Sequence, residues 1–136
     1  MPHIHRTRIW QLQIPDEWKT QGSGEAAIFF RADGLGMLMV LTDDHGSSDL
    51  SCDAVERYAR ESWPRGSTFS LVACGSLRGI AGTRTESGTH WRGWWLPCRG
   101  RLVYASYQCA TAHTDSERGE IDVILQSIAE SDNQAA

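Results

Sequence analysis

The chain has 136 residues, of which 40% are hydrophobic and 22% charged, and its formal net charge is −4. A chain of this length buries roughly two thirds of the surface it would expose unfolded, which supports one core and argues against two. Such a composition excludes disordered and fibrous classes, and the acidic balance offers no long-range attraction for a phosphate backbone or an anionic bilayer, so no nucleic acid is expected as a partner.

No stretch reaches the roughly 18 apolar residues that cross a bilayer, and the opening MPHIHRTRIW lacks an apolar signal core. A cytoplasmic location without membrane insertion is therefore expected. Cys52, Cys74, Cys98 and Cys109 form no C-x-x-C pair and read as free thiols, with Cys98 and Cys109 the two that neighbouring strands would bring closest if the compartment were oxidising. Six tryptophans, at 10, 18, 63, 91, 94 and 95, are the unusual feature, because each large ring must be buried or used.

Along RIWQLQI at 8–14, Trp10, Leu12 and Ile14 alternate with Gln11 and Gln13, the period of a half-buried strand ended by Pro15 and Asp16. A polar loop containing Gly22 and Gly24 is expected next. Two apolar runs, EAAIFFR at 25–31 and MLMVLT at 37–42, flank Asp33-Gly34 and predict a hairpin, since glycine supplies the positive φ of such turns. After DDHGSSDL, a cap at Ser48 or Asp49 predicts a helix to about Glu61, with Leu50, Ala54, Val55, Tyr58 and Ala59 at helical spacing. Pro64 and Gly66 stop it.

FSLVACGSL at 69–77 reads as one strand, followed by RGIAGTRTE as a glycine-punctuated strand with bulges at Gly79 or Gly82. Turns at Glu86-Ser87-Gly88 and Arg99-Gly100 then lead into THWRGWWLP and RLVYASYQC, giving a meander. From Asp115 the period becomes helical, with Ile121, Ile124, Leu125 and Ile128 on one stripe behind acidic residues suited to a helix N-terminus. The chain is expected to be a single domain over 1–136 with an ordered core of about 8–130. Its class is α+β: an antiparallel sheet of about six or seven strands packed against two α-helices, both on one face.

The opening strand ending in I-P-D-E-W, the apolar hairpin, the W-R-G-W-W and Y-x-x-Y strands and the closing I-x-x-I-L-x-S-I helix resemble the PsbP/Mog-like α/β/α sandwich proteins. The resemblance spans residues 8–130 and is to an uncharacterised bacterial branch of that group, which also holds plant photosystem subunits, a Ran-binding nuclear protein and effector chaperones of type VI secretion. It implies a scaffold that binds another macromolecule. It supplies no shared catalytic residue.

Candidate chemistry is sparse. His3-x-His5 could clamp a metal but sits in a terminus expected to be disordered, and His45 beside Asp43 and Asp44 reads as turn polarity. No cofactor is implied. A nucleophile site would need Cys74 in reach of His90 or His113, yet no G-x-S-x-G elbow accompanies it. Asp43, Asp44 and Asp49 suit the first helix's dipole without invoking hydrolysis.

The aromatic strand carries the functional expectation. Alternation divides Trp91 and Trp95 from His90, Arg92 and Trp94. The charged pair is expected to point outward with Trp94, beside Tyr104, Ser106 and Gln108 of the next strand, while Val103, Ala105, Tyr107 and Cys109 pack inward. His90, Arg92, Trp94, Tyr104, Ser106 and Gln108 then form one exposed patch with the Trp, Tyr and Arg content of binding hot spots. The function expected is a non-enzymatic chaperone, adaptor or immunity-type module whose partner is another protein, such as a secreted effector or toxin. The alternatives are a small-ligand carrier with a pocket lined by Trp91, Trp95 and Tyr107, and the Cys74/His hydrolase.

Overall fold

A computed structural model describes residues 2–23, 26–32, 34–43 and 50–131. Asp33 and the expected capping and metal residues Asp44, His45, Ser48 and Asp49 lie outside the described residues. Among the described residues ten strands and two α-helices follow in the order β1 (His3–Arg6), β2 (Trp10–Ile14), β3 (Trp18–Ser23), β4 (Ala26–Arg31), β5 (Gly36–Asp43), α1 (Cys52–Ser62), β6 (Thr68–Cys74), β7 (Leu77–Glu86), β8 (Thr89–Cys98), β9 (Arg101–Ala110), α2 (Arg118–Gln126) and β10 (Ala129–Glu130). Seven strands form the main antiparallel sheet in the order β3-β4-β5-β9-β8-β7-β6, and β1-β2-β10 form a second, small sheet. The α+β class and the strand number agree with the sequence reading.

Tight turns build the meander. Ser87 and Gly88, like Arg99 and Gly100, both take positive φ, the geometry that lets a two-residue loop follow the right-handed twist of its strands. A third two-residue turn, at Gly75-Ser76, in which only Gly75 takes positive φ, divides the run 69–77 into β6 and the start of β7, with Cys74 paired to Leu77. The expected single strand there is therefore two. β7 keeps an unbroken register with β6 through Gly79 and Gly82 and with β8 from Ile80 to Glu86, so Gly82 marks no bulge on either side and Gly79 none against β6. Instead the Phe69 ring lies over Gly82, and Trp63 lies over Gly93 so closely that an added Cβ would meet its Cζ2 at 2.6 Å. These glycines form a flat floor for an aromatic plug.

The expected loop after Pro15 contains β3, a polar edge strand paired to β4 from Trp18↔Arg31 to Ser23↔Ala26. The N-terminus is likewise ordered. His3 and His5 lie on β1, and His5 stacks at 5.5 Å from Trp10 and 5.3 Å from Phe29.

The helices lie on opposite faces of the main sheet, which corrects the expectation that both cover one. α2, with Ile121, Ile124 and Leu125 buried, joins β2 in a core cluster with Phe29, Leu38, Trp94 and Tyr107. α1, capped by the Ser51 Oγ that accepts from the Ala54 N–H at 3.3 Å, turns Val55 and Ala59 onto Ile80, Trp95 and Leu102. Trp94 and Trp95 are adjacent on β8 and necessarily point to opposite faces. Each anchors a different layer.

Burial follows this three-layer plan, with Trp94 3% exposed and Leu71, on the edge strand β6, 72% exposed. Trp94→Ala is expected to lower unfolding free energy by about 3–5 kcal/mol. Leu71→Ala should stay within about 0.5 kcal/mol of the parent. Denaturant titration of both variants checks the assignment of inside and outside.

Candidate functional site

The register of β8 with β9 decides which side chains share a surface. Trp94 pairs with Ala105, Arg92 with Tyr107 and His90 with Cys109, whereas Trp91 pairs with Gln108, Gly93 with Ser106 and Trp95 with Tyr104. The expected patch is thereby split across the sheet: His90, Arg92 and Trp94 face α2, while Tyr104, Ser106 and Gln108 face the α1 side. A one-residue phase difference is enough, because it sends every side chain of a strand to the other face.

On the α2 side the three residues are structural. The Arg92 guanidinium lies 4.7 Å from the Trp94 ring and pairs with Asp122 of α2 at 2.7 Å, tying the sheet to the helix. His90, 7% exposed, shares a hydrogen bond of 3.1 Å between Nδ1 and the Thr85 Oγ1, and its Nε2 has no partner. Burial, reinforced by Arg118 and Arg92, lowers its pKa.

Nearby, the buried Tyr107 hydroxyl donates to Glu117 Oε1 at 2.6 Å while Glu117 Oε2 accepts from the Leu35 N–H at 3.2 Å. Burial and that bond hold the phenol well above its ordinary range. Glu120 accepts from Arg31 at 2.9 Å and from Trp18 Nε1 at 3.2 Å. Both carboxylates pin the start of α2 to the ends of β3, β4 and β5, and Trp18 seals the core end as a plug, as does Trp63 at the end of α1.

The hydrolase constellation is not assembled. Cys74 pairs with Leu77 and His90 with Thr85, and the eight-residue rise along β7 from Leu77 to Thr85 spans about 26 Å. His113 lies beside Cys109, at the His90 end of the sheet. Burial pushes the Cys74 and Cys98 thiols up to about 11 and raises that of Cys109. All four cysteines are free, and only Cys52 is exposed. The expected ligand pocket is likewise divided, since Trp91 and Trp95 face α1 and Tyr107 faces α2. Among the described residues no three metal-ligating side chains come together.

Among the described residues, half of the α1 side remains open. α1 packs against β7 and β8. Beyond its reach, one row across the sheet reads Met37, Gln108, Trp91 and Arg84, and the next reads Ile28, Met39 and Ser106. On β4, β5 and β9 the opposite-facing residues Phe29, Leu38, Val40 and Ala105 are sealed, while Ile28, Phe30, Met39, Leu41, Ser106 and Gln108 are only half-buried and Met37 is 36% exposed. Where β4 and β9 finish and β5 and β8 begin, Phe30, Leu35, Met37, Trp91 and Gln108 line an open groove of about 630 Å³. Arg84 lies 4.5 Å from the Trp91 ring and 5.2 Å from Trp63, and also pairs with Glu86 at 2.9 Å. The apolar members were missed from the sequence, although AAIFF and MLMVL signal them: runs without polar alternation belong to strands with apolar groups on both faces.

Similarity to known proteins is structural. The fold resembles a crystal structure from Bacteroides thetaiotaomicron VPI-5482 with a TM-score of 0.60 and 15% identity, over 91% of this chain and 46% of that one. It also resembles the solution structure of cyanobacterial PsbP (CyanoP) from Synechocystis sp. PCC 6803, with a TM-score of 0.41 and 14% identity, over 89% of this chain and 86% of that one. The chain spans about half the length of the Bacteroides protein, and at this identity the likeness concerns the fold alone. No protein-family model and no curated protein matches the sequence.

Two measurements follow from the site's chemistry. With native protein near neutral pH, a thiol reagent followed by mass spectrometry should modify Cys52 and leave Cys74, Cys98 and Cys109 until unfolding, because buried thiols with raised pKa present almost no thiolate. The lowered pKa of His90 means that the unfolded chain takes up this proton first as pH falls. Its contribution to stability is present above the ordinary value of 6.5 and is lost as pH drops through the lower folded value. His90→Asn keeps a side-chain partner for Thr85 and removes the titration, so its melting temperature should depend less on pH below 6.5 than that of the parent.

Proposed function

We propose that the protein is a non-enzymatic protein-binding module, of chaperone, adaptor or immunity type, that holds its partner on the open α1-side face of β4, β5 and β9. The observation that carries this reading is the half-buried apolar surface of Ile28, Phe30, Met37, Met39 and Leu41, bordered by Gln108, Tyr104, Trp91 and Arg84. Contiguous apolar surface on a small domain marks an interaction site. Methionine, unbranched and polarizable, adapts to varied partner shapes, and Trp, Tyr, Met and Arg are the residues enriched at interfaces. Trp91 takes the anchoring place that alternation had suggested for Trp94.

The layered arrangement, with a helix on each side of an antiparallel sheet, supports placing the chain among the PsbP/Mog-like α/β/α sandwich proteins, a group suited to such a scaffold role. The acidic balance suits a basic partner such as a secreted effector or toxin. Three buried free thiols fit work in the cytoplasm, and among the described residues no helix is long and apolar enough to cross a membrane. A second reading, a small-ligand carrier, draws on the groove beside Phe30 and Trp91, whose volume lies within the range of ligand sites.

Met39→Lys and Ile28→Lys place charge in the centre of the open face. Partner recovery in pull-downs from the native host should fall at least about tenfold, as for loss of a hot-spot contact, while circular dichroism stays unchanged. Undiminished recovery by folded variants would rule the face out. Selective loss of a small ligand, detected by native mass spectrometry, would favour the carrier instead.

A further inference from the structure

The edges of the two sheets are unequal. Among the described residues four strands have a free side, and three of them carry a charge: Arg6 on β1, Lys19 on β3 and Glu130 on β10. β6, with the sequence TFSLVAC, has none and no proline. Charge and proline are the usual means by which an edge strand is kept from pairing with another chain. β6 lacks both, and its central residue Leu71 is 72% exposed.

The backbone at this edge is specific about what it can accept. Cys74 and Leu77 close the two-residue turn, so alternation points the N–H and C=O groups of Ser70, Val72 and Cys74 toward β7 and those of Phe69, Leu71 and Ala73 outward. Gln126 of α2 covers one end: its Nε2 donates to the Ala73 carbonyl at 3.0 Å, and its Oε1 accepts from the Gly75 N–H at 3.4 Å. The outward groups of Phe69 and Leu71 lie beyond this clamp. Beside them, a mainly apolar groove of about 640 Å³ runs between β6 and the first turn of α1, lined by Leu50, Val55, Leu71 and Ala73, with Arg78 the charged residue in its lining.

We propose that β6 is the contact strand of a two-fold dimer, in which two copies of this chain pair their β6 strands antiparallel and join their seven-stranded sheets into one. With Phe69 of each copy opposite Leu71 of the other, the outward donors and acceptors of both residues meet their complements, and the Ala73 carbonyl stays with Gln126. The occupant fits the site because it is the site. β6 projects Phe69, Leu71 and Ala73 toward the α1 side; Phe69 stays packed on Trp63 and Trp95 of its own copy, and Leu71 of each copy covers the half-buried Phe69 of the other, side chains at alternate positions being the pattern by which an added strand is recognised. An uncharged strand also lets two molecules of net charge −4 meet along a line without like-charge pairs. This pairing is separate from the open face of β4, β5 and β9 and leaves it exposed in both copies.

Analytical ultracentrifugation under reducing conditions tests the proposal. The parent should show a concentration-dependent dimer, and Leu71→Lys should raise the dissociation constant by about a hundredfold, since a lysine at the pairing line would be buried without a partner. Hydrogen exchange of the parent gives a reading that needs no variant: the Phe69 and Leu71 amides should slow as concentration rises. Met39→Lys should leave the dimer intact, so failure of this inference and failure of the open-face reading are distinguishable. A parent that remains monomeric at every concentration, a dimer indifferent to Leu71→Lys, or amides whose exchange ignores concentration would each overturn it.

Discussion

The pairing of Trp94 with Ala105 and of Trp95 with Tyr104 is the constraint on which the rest of the molecule depends. Two large rings on consecutive residues of the same strand cannot share a face, so the sheet must be covered on both sides. Trp94 gathers the helix α2 and the small β1-β2-β10 sheet on one side. Trp95, with Trp63 at 5.1 Å and Tyr104 at 5.2 Å, gathers α1 on the other. The two cores are independent clusters separated by a single sheet, and each has its own helix.

The layers differ in completeness. On the α2 side every strand from β4 to β8 contributes sealed residues, and the polar groups at the rim are consumed in holding α2 down: Asp122 by Arg92, Glu117 by Tyr107, and Glu120 by Arg31 and Trp18. Glu117 stands at the N-cap position of α2 yet makes no capping bond. Its carboxylate is spent on tertiary contacts instead. On the α1 side an eleven-residue helix meets a sheet of seven strands, and it packs chiefly on β7 and β8. The half-covered methionine row on β5 is the geometric consequence of one short helix on a wide sheet.

That asymmetry gives the proposed binding function a location and separates it from the edge. A face of adaptable apolar side chains suits a partner with apolar surface of its own, because burial there is non-directional. The β6 edge works through backbone hydrogen bonds, which are directional and demand an extended chain. A dimer joined at β6 would present two open faces on the same side of one sheet, so a partner with two binding segments could engage both.

Much of the local structure was legible in the sequence. Strict alternation identified β2, the apolar runs around Gly34 and the Arg99-Gly100 signal identified hairpins, although Gly34 itself takes no positive φ, and the stripe of Ile121, Ile124 and Leu125 identified α2, because these depend on residues near one another in the chain. β3 was not legible, since its polar residues WKTQGS satisfy an edge and carry no apolar period. The Gly75-Ser76 turn was available as a signal and was outweighed by the apolar run around it. Among the site residues, alternation correctly separated Trp91 and Trp95 from His90, Arg92 and Trp94, and separated Tyr104, Ser106 and Gln108 from their neighbours. Which set on β8 shares a face with which set on β9 rests on the register, and which face is sealed rests on where α1 and α2 come to lie. Sequence by itself determined the period of each element; tertiary structure alone decided the phase between strands and the coverage of each face, because both depend on packing energies between residues far apart in the chain.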